Sequence, residues 1–298
     1  MLKLVPMQPK YKPLYTLYFW LIELITTYIV NSSEYIDYFC AKSFVMLEYL
    51  IVCPLVFLGG FVDAIAGGGG LISLPAYMIV GLNPIEAIGT NKFSASCGTF
   101  VATMRYSRCG FIQWRGMLPV VIAALVGSWI GARLALLVEN DIFKIIMLVI
   151  LPITAVFVLN KRTLSKYRVP FAVRKTILVM TILALFMGVY DGFYGPGTGT
   201  FLMLMLVCIA RLRLERAVGT TKVINLSTNL ASLSVFIVHG KVMFPLALVA
   251  ALFGIMGNYI GSKYFTKKGV GFVKPLIIAV LSIFFVKLCW ELFVTRLM

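Results

Sequence analysis

The stretch that begins GFVDAIAGGGG at Gly60 recurs as GVYDGFYGPGTG at Gly188, matching Gly60, Asp63 and Gly67 to Gly188, Asp191 and Gly195. After a two-residue slip the correspondence continues: AIGTNK at 87–92 aligns with AVGTTK at 217–222, Gly110 with Gly240, GSWIGAR at 127–133 with GNYIGSK at 257–263, and Lys144 with Lys274. Charged residues match at the same offset as small ones, which chance pairing of glycines does not explain. Each copy sits in a half of the chain that carries five apolar segments. An odd number of crossings per half predicts two halves inserted with opposite orientation.

The segments are long. They run at 14–30, 44–66, 71–82, 84–104, 117–138 and 142–160, then 176–194, 200–210, 217–238, 243–264 and 272–294. With 61% hydrophobic and 13% charged residues, a water-soluble fold has nowhere to bury them. The expected fold is an all-α polytopic membrane protein: two inverted-topology repeats of about five hydrophobic segments each, with glycine-broken short helices, plus an extra N-terminal helix. The expected divisions are 1–43, an N-terminal anchor that lacks a small-x-small cleavage pattern; 44–160, the first repeat; 161–175, a basic cytoplasmic linker; and 176–298, the second, inverted repeat.

The net charge of +16 is spread over short loops between apolar runs, the pattern of cytoplasmic loops rather than of a nucleic-acid site, so no nucleic-acid partner is expected. Basic clusters at 105–115, 161–168, 211–216 and 263–268 fall on one side if the N-terminus is cytoplasmic and the C-terminus outside. The segments at 71–82 and 200–210 are half the length of a span, and half-helices and re-entrant hairpins keep the same parity. Six scattered cysteines without a CxxC pair, and a single histidine, predict no metal site, disulfide framework or cofactor. No feature of the sequence fixes an oligomeric state.

Glycine runs at membrane depth are tolerated where the backbone faces protein or a water-filled cavity. Gly67, Gly68, Gly69 and Gly70 precede one short segment, and Gly195, Gly197, Thr198 and Gly199 precede the other. A glycine-rich turn feeding a helix leaves N–H groups unpaired at the positive end of a dipole, an anion site in the making. Close packing of small residues is the simpler alternative. Asn83 and Pro84 read as the cap and first residue of a helix that carries Lys92 about two turns inside, and Lys222 takes the matching place in the other half. Lysines within spans are costly and signal function, unless they snorkel or pair with Asp63 and Asp191. Thr90, Asn91, Ser94, Thr220, Thr221, Asn225, Ser227 and Asn229 surround them with groups suited to an oxyanion. Asp63 and Asp191 repel an anion unless a lysine neutralises them or they bind a proton, which would make them a coupling device. A hydrogen bond from either aspartate to glycine N–H groups is the structural alternative.

The motifs AGGGGLISLP, AIGTNK with AVGTTK, and GSWIGAR with GNYIGSK resemble the sulfite exporter TauE/SafE family, over about residues 50–290. The resemblance implies a multi-pass transporter of the bacterial inner membrane for small, often sulfur-containing anions such as sulfite, sulfonates or sulfoacetate, with the lipid bilayer and a small anionic substrate as partners. This chain departs from the family pattern in its extra N-terminal segment and in Pro196. A passive anion channel shares the glycine and lysine features. An intramembrane enzyme would need an activated nucleophile or metal ligands, and neither HExxH nor GxSxG occurs.

Overall fold

The computed structural model describes residues 46, 48–65, 67–143, 145–146 and 171–268, with backbone alone for 266–268. The expected spans at 14–30 and 272–294, most of 142–160 and of the linker, and Lys144 and Lys274 lie outside these residues. The main helices are α1 (Glu48–Ile65), α2 (Gly70–Ile79), α3 (Pro84–Arg108), α4 (Met117–Leu136), α5 (Val173–Phe193), α6 (Thr198–Cys208), α7 (Leu214–Val238) and α8 (Phe244–Lys268). No strand occurs among the described residues. Five helices, α1, α4, α5, α7 and α8, are long and apolar enough to cross a membrane.

The short segments stay short. With 10 residues α2 rises about 15 Å, half the hydrocarbon thickness, and α6 with 11 residues is much the same. Each follows a break at a glycine in the left-handed region, Gly67 at φ +74° and Gly195 at φ +95°, a conformation in which an L side chain is strained. At the first break the Gly67 N–H still donates to the Asp63 carbonyl at 2.9 Å, so the last turn of α1 closes before the chain turns away. By contrast α3 starts as its sequence dictates. The Asn83 side chain accepts from the Glu86 N–H at 3.0 Å, with Pro84 at the first helical position.

Two apolar clusters fill most of the interior, the buried polar residues concentrate on α3 and α7 between them, and the outward faces are apolar, as a bilayer demands. Among the buried residues of α7 are Thr220, Thr221, Lys222, Asn225, Ser227, Thr228, Asn229 and Ser232. The outer helices expose Leu118, Ile122, Trp129 and Leu134 on α4, Ile182 and Phe186 on α5, and Leu248, Leu252 and Met256 on α8. Helix α3 packs against α7 and α8, while α7 also packs against α4.

Lipid tails provide no hydrophobic drive between helices, so close contact must come from small residues. Gly127 and Gly131 of α4 lie against the backbone of Leu185 and Val189 in α5. Gly257 and Gly261 of α8 lie in the same way against Phe57 and Phe61 in α1. The two glycine motifs aligned in the sequence thus make equivalent helix contacts. So do Gly89, against the Lys241 backbone, and Gly219, against the Phe111 backbone.

Candidate functional site

The two glycine breaks meet. A Cβ placed on Gly199 would lie 2.5 Å from the Gly67 carbonyl oxygen and 2.7 Å from the Asn225 amide nitrogen, and one on Gly70 would lie 3.1 Å from the Pro196 Cα. Only bare backbone fits there. The quadruple glycine of the first motif lets the start of α2 rest directly on the start of α6, and neither helix start carries a side-chain cap.

Next to this junction lies a cavity of about 60 Å³, space for a few waters or one small oxyanion. Its floor is the two breaks, through Gly67, Gly69, Gly70, Gly195, Thr198 and Gly199. Its walls come from Asp63 and the Gly59–Gly60 pair of α1, Asn91, Lys92 and Ser94 of α3, Asp191 of α5, Asn225 and Asn229 of α7, and Asn258 of α8. Two uncapped helix starts therefore bring the positive ends of their dipoles to one small polar space.

The lysines are not free. Lys92, 2% exposed, donates to Asp191 Oδ2 at 2.7 Å and to Asn229 Oδ1 at 3.0 Å. Lys222, 1% exposed, donates to Asp63 Oδ2 at 2.7 Å and to the Asp63 carbonyl at 2.5 Å. Each ion pair joins a lysine from one copy of the repeated sequence to an aspartate from the other. Of the two structural alternatives for the lysines, snorkelling or pairing with the aspartates, the structure shows pairing in both cases. The carboxylates take lysines as partners rather than glycine N–H groups. Two positive and two negative charges sum to zero, so the ion pairs lend the site no net charge and the helix starts are the remaining source of positive potential.

Polar atoms around the cavity remain available. Oδ1 of Asn91, Asn225 and Asn258 is buried without a hydrogen-bond partner among the described residues. Such an atom costs about 1–3 kcal/mol unless water or a bound molecule meets it. A half-turn of the Asn91 or Asn225 amide would present N–H donors to an anion in place of the oxygen, whereas Asn258 is held by its Nδ2 donating to the Gly254 carbonyl at 3.0 Å.

Of the residues singled out from the sequence, Asp63, Gly67, Gly69, Gly70, Asn91, Lys92, Asp191, Gly195, Thr198, Gly199 and Asn225 line the cavity. Gly68, Thr90, Gly197, Thr220, Thr221 and Lys222 do not. Thr90 is used structurally, its hydroxyl accepting from the Met243 N–H at 3.0 Å. Gly197 is the N-cap of α6 at φ +82°. Lys222 stands behind Asp63, and Thr220 lines a separate cavity. Sequence reasoning missed Val56, Gly59, Ser73, Ala95, Thr99, Gly254 and Asn258. Only Asn258 carried a signal, as the polar residue between the glycines of GNYIGSK, where the first copy has Ser128.

A helical membrane bundle with charged pairs and helix breaks at its centre is the architecture of a transporter. The pattern of the sulfite exporter TauE/SafE family matches residues 52–288, and the chain belongs to that family. It is 34% identical over 238 residues to a probable membrane transporter protein, ORF9, of a Sinorhizobium species, covering 80% of this chain and 90% of that one. It is 31% identical over 260 residues to the probable membrane transporter protein YfcA of Escherichia coli K12, covering 84% of this chain and 94% of the relative. A 27% identity over 248 residues to the probable membrane transporter protein YdhB of Bacillus subtilis covers 80% of this chain and all of that one. No solved structure matches the chain. The protein is a multi-pass membrane transporter.

Proposed function

We propose that the protein carries small, sulfur-containing organic or inorganic anions, of the sulfite, sulfonate and sulfoacetate class, across a bacterial inner membrane as a proton-coupled secondary carrier. The observation that carries this reading is the small polar cavity where two uncapped helix starts meet beside the Lys92–Asp191 pair. Helix starts and amide groups suit an oxyanion, and the cavity volume suits one of a few heavy atoms. Longer sulfonates of the class require the cavity to widen.

Charge balance supports coupling. With both pairs ionised the site is neutral, and an entering anion leaves one excess negative charge in a low-dielectric space. A proton on Asp63 or Asp191 restores neutrality and leaves a lysine free to meet the anion. The simplest scheme is symport, with the gradient setting direction. The equivalent contacts of the matched glycines and the crossed ion pairs favour two inverted repeats, 44–160 and 176–298; the distribution of basic loops favours an N-terminus in the cytoplasm and a C-terminus outside.

Thermal shift of the purified protein against a panel of anions, cations and sugars tests the substrate class. Sulfite or short sulfonates are expected to raise the melting temperature, and neutral or cationic solutes to leave it unchanged. Stabilisation by cations or sugars alone would contradict the proposal.

A further inference from the structure

A second cavity, of about 140 Å³, lies between the starts of α4, α5 and α7 and owes nothing to the central site. Arg115, Arg211 and Arg216 line it together with Gln113, and no carboxylate is among its lining residues that the structure describes. The nearest acid in sequence, Glu215, is exposed and lies outside the lining. Three helices, of 20, 21 and 25 residues, begin at this place, and none has a side-chain cap on its first turn. Their positive dipole ends add to the arginine charges.

Two of the arginines, Arg211 and Arg216, are held in position. Arg211 is the one non-glycine residue with positive φ among those described, at +56°, and its guanidinium sits over the Phe171 ring at 4.2 Å. A long side chain held in the left-handed region is a local strain of the kind that collects at binding sites. Arg216 donates to Gln113 Oε1 at 2.9 Å, which ties the first turn of α7 to the α3–α4 connection. The remaining wall is apolar, built from Phe171, Val173, Ile177 and Met180.

We propose that this cavity binds a phosphate group, carried by a phospholipid headgroup or by a free phosphate. Arginine forks pair with phosphate oxygens in two-pronged fashion, and the uncapped helix starts add N–H donors. The apolar wall beside them suits the glycerol and first acyl carbons of a lipid. By the distribution of basic loops this is the cytoplasmic face, where anionic headgroups meet basic pockets between helices.

The test uses the full chain in detergent. Its melting temperature is measured with phosphatidylglycerol against phosphatidylcholine in mixed micelles, and with inorganic phosphate against chloride at equal ionic strength. Wild type is expected to gain several degrees in at least one of the two comparisons. A gain with phosphatidylglycerol alone assigns the site to lipid, and a gain with inorganic phosphate assigns it to a soluble phosphate. Arg115→Gln with Arg216→Gln, and separately Arg211→Gly, which also relieves the backbone, should weaken the apparent affinity by about tenfold per arginine. Lys92→Gln, at the central cavity, should leave this response intact. The proposal is overturned if neither probe exceeds its control, or if the gain persists undiminished in the arginine variants.

Discussion

At the scale of residues, the account rests on two crossed ion pairs with different burial. The Lys92 and Asp191 side chains are 3% and 7% exposed, whereas Asp63 keeps 18% of its side-chain surface. Removing one partner of a buried pair leaves an uncompensated charge and costs about 3–5 kcal/mol. Asp191→Asn is therefore expected to lower the stability of the anion-free protein by about that much. Asp63→Asn should cost less, since water reaches that carboxylate. Chemical denaturation of the two variants checks the order, and a larger loss at Asp63 would show that the pairs are not weighted as their burial implies. In both variants the unpaired lysine should favour the anion, so saturating substrate is expected to restore part of the lost stability. Residue types and their pairing in symmetric positions were legible in the sequence. The identity of each partner was not, because it depends on the reach of Lys92 from α3 to α5 and of Lys222 from α7 to the end of α1, which no local pattern encodes. Thr90 and Thr220 looked like ligands because they stand two residues before Lys92 and Lys222, yet residues two apart do not face the same side of a helix.

At the scale of elements, glycines decide which helices touch and how closely. A Cβ on Gly131 would run into the Val189 backbone, where nothing can yield, while one on Gly254 finds its nearest atom, the Ser94 carbonyl oxygen, at 3.3 Å. Gly131→Ala is expected to destabilise the α4–α5 pair by about 1–3 kcal/mol. Gly254→Ala should leave the fold intact and act instead on the cavity it lines, weakening anion binding. Thermal melting and anion titration of both variants separate the effects, and equal melting temperatures would count against close glycine packing as the main support of α4 on α5. Helix starts and half-length segments could be read from the sequence because Asn83–Pro84 and the glycine runs act locally. The meeting of Gly67 with Gly199 could not, since it joins residues far apart in the chain and follows from the whole arrangement.

At the scale of the molecule, the proposed inverted arrangement makes a prediction about sidedness. Single cysteines placed at Arg108 and Arg213 are expected to resist an impermeant thiol reagent added outside intact cells and to react once the membrane is opened. Labelling of either from outside would overturn the orientation. The central claim is that an anion enters a neutral cavity only with a proton, and its most direct test is flux into liposomes containing the purified protein. A short alkyl sulfonate is the appropriate tracer, because its own charge is constant over the pH range. Wild-type flux at subsaturating tracer is expected to rise as pH falls, by up to about tenfold per unit where one proton accompanies each anion. At least one of Asp63→Asn and Asp191→Asn should bind the tracer and lose that pH dependence, and Lys92→Gln should abolish transport. Wild-type pH dependence in both aspartate variants, or undiminished flux in Lys92→Gln, would contradict the account.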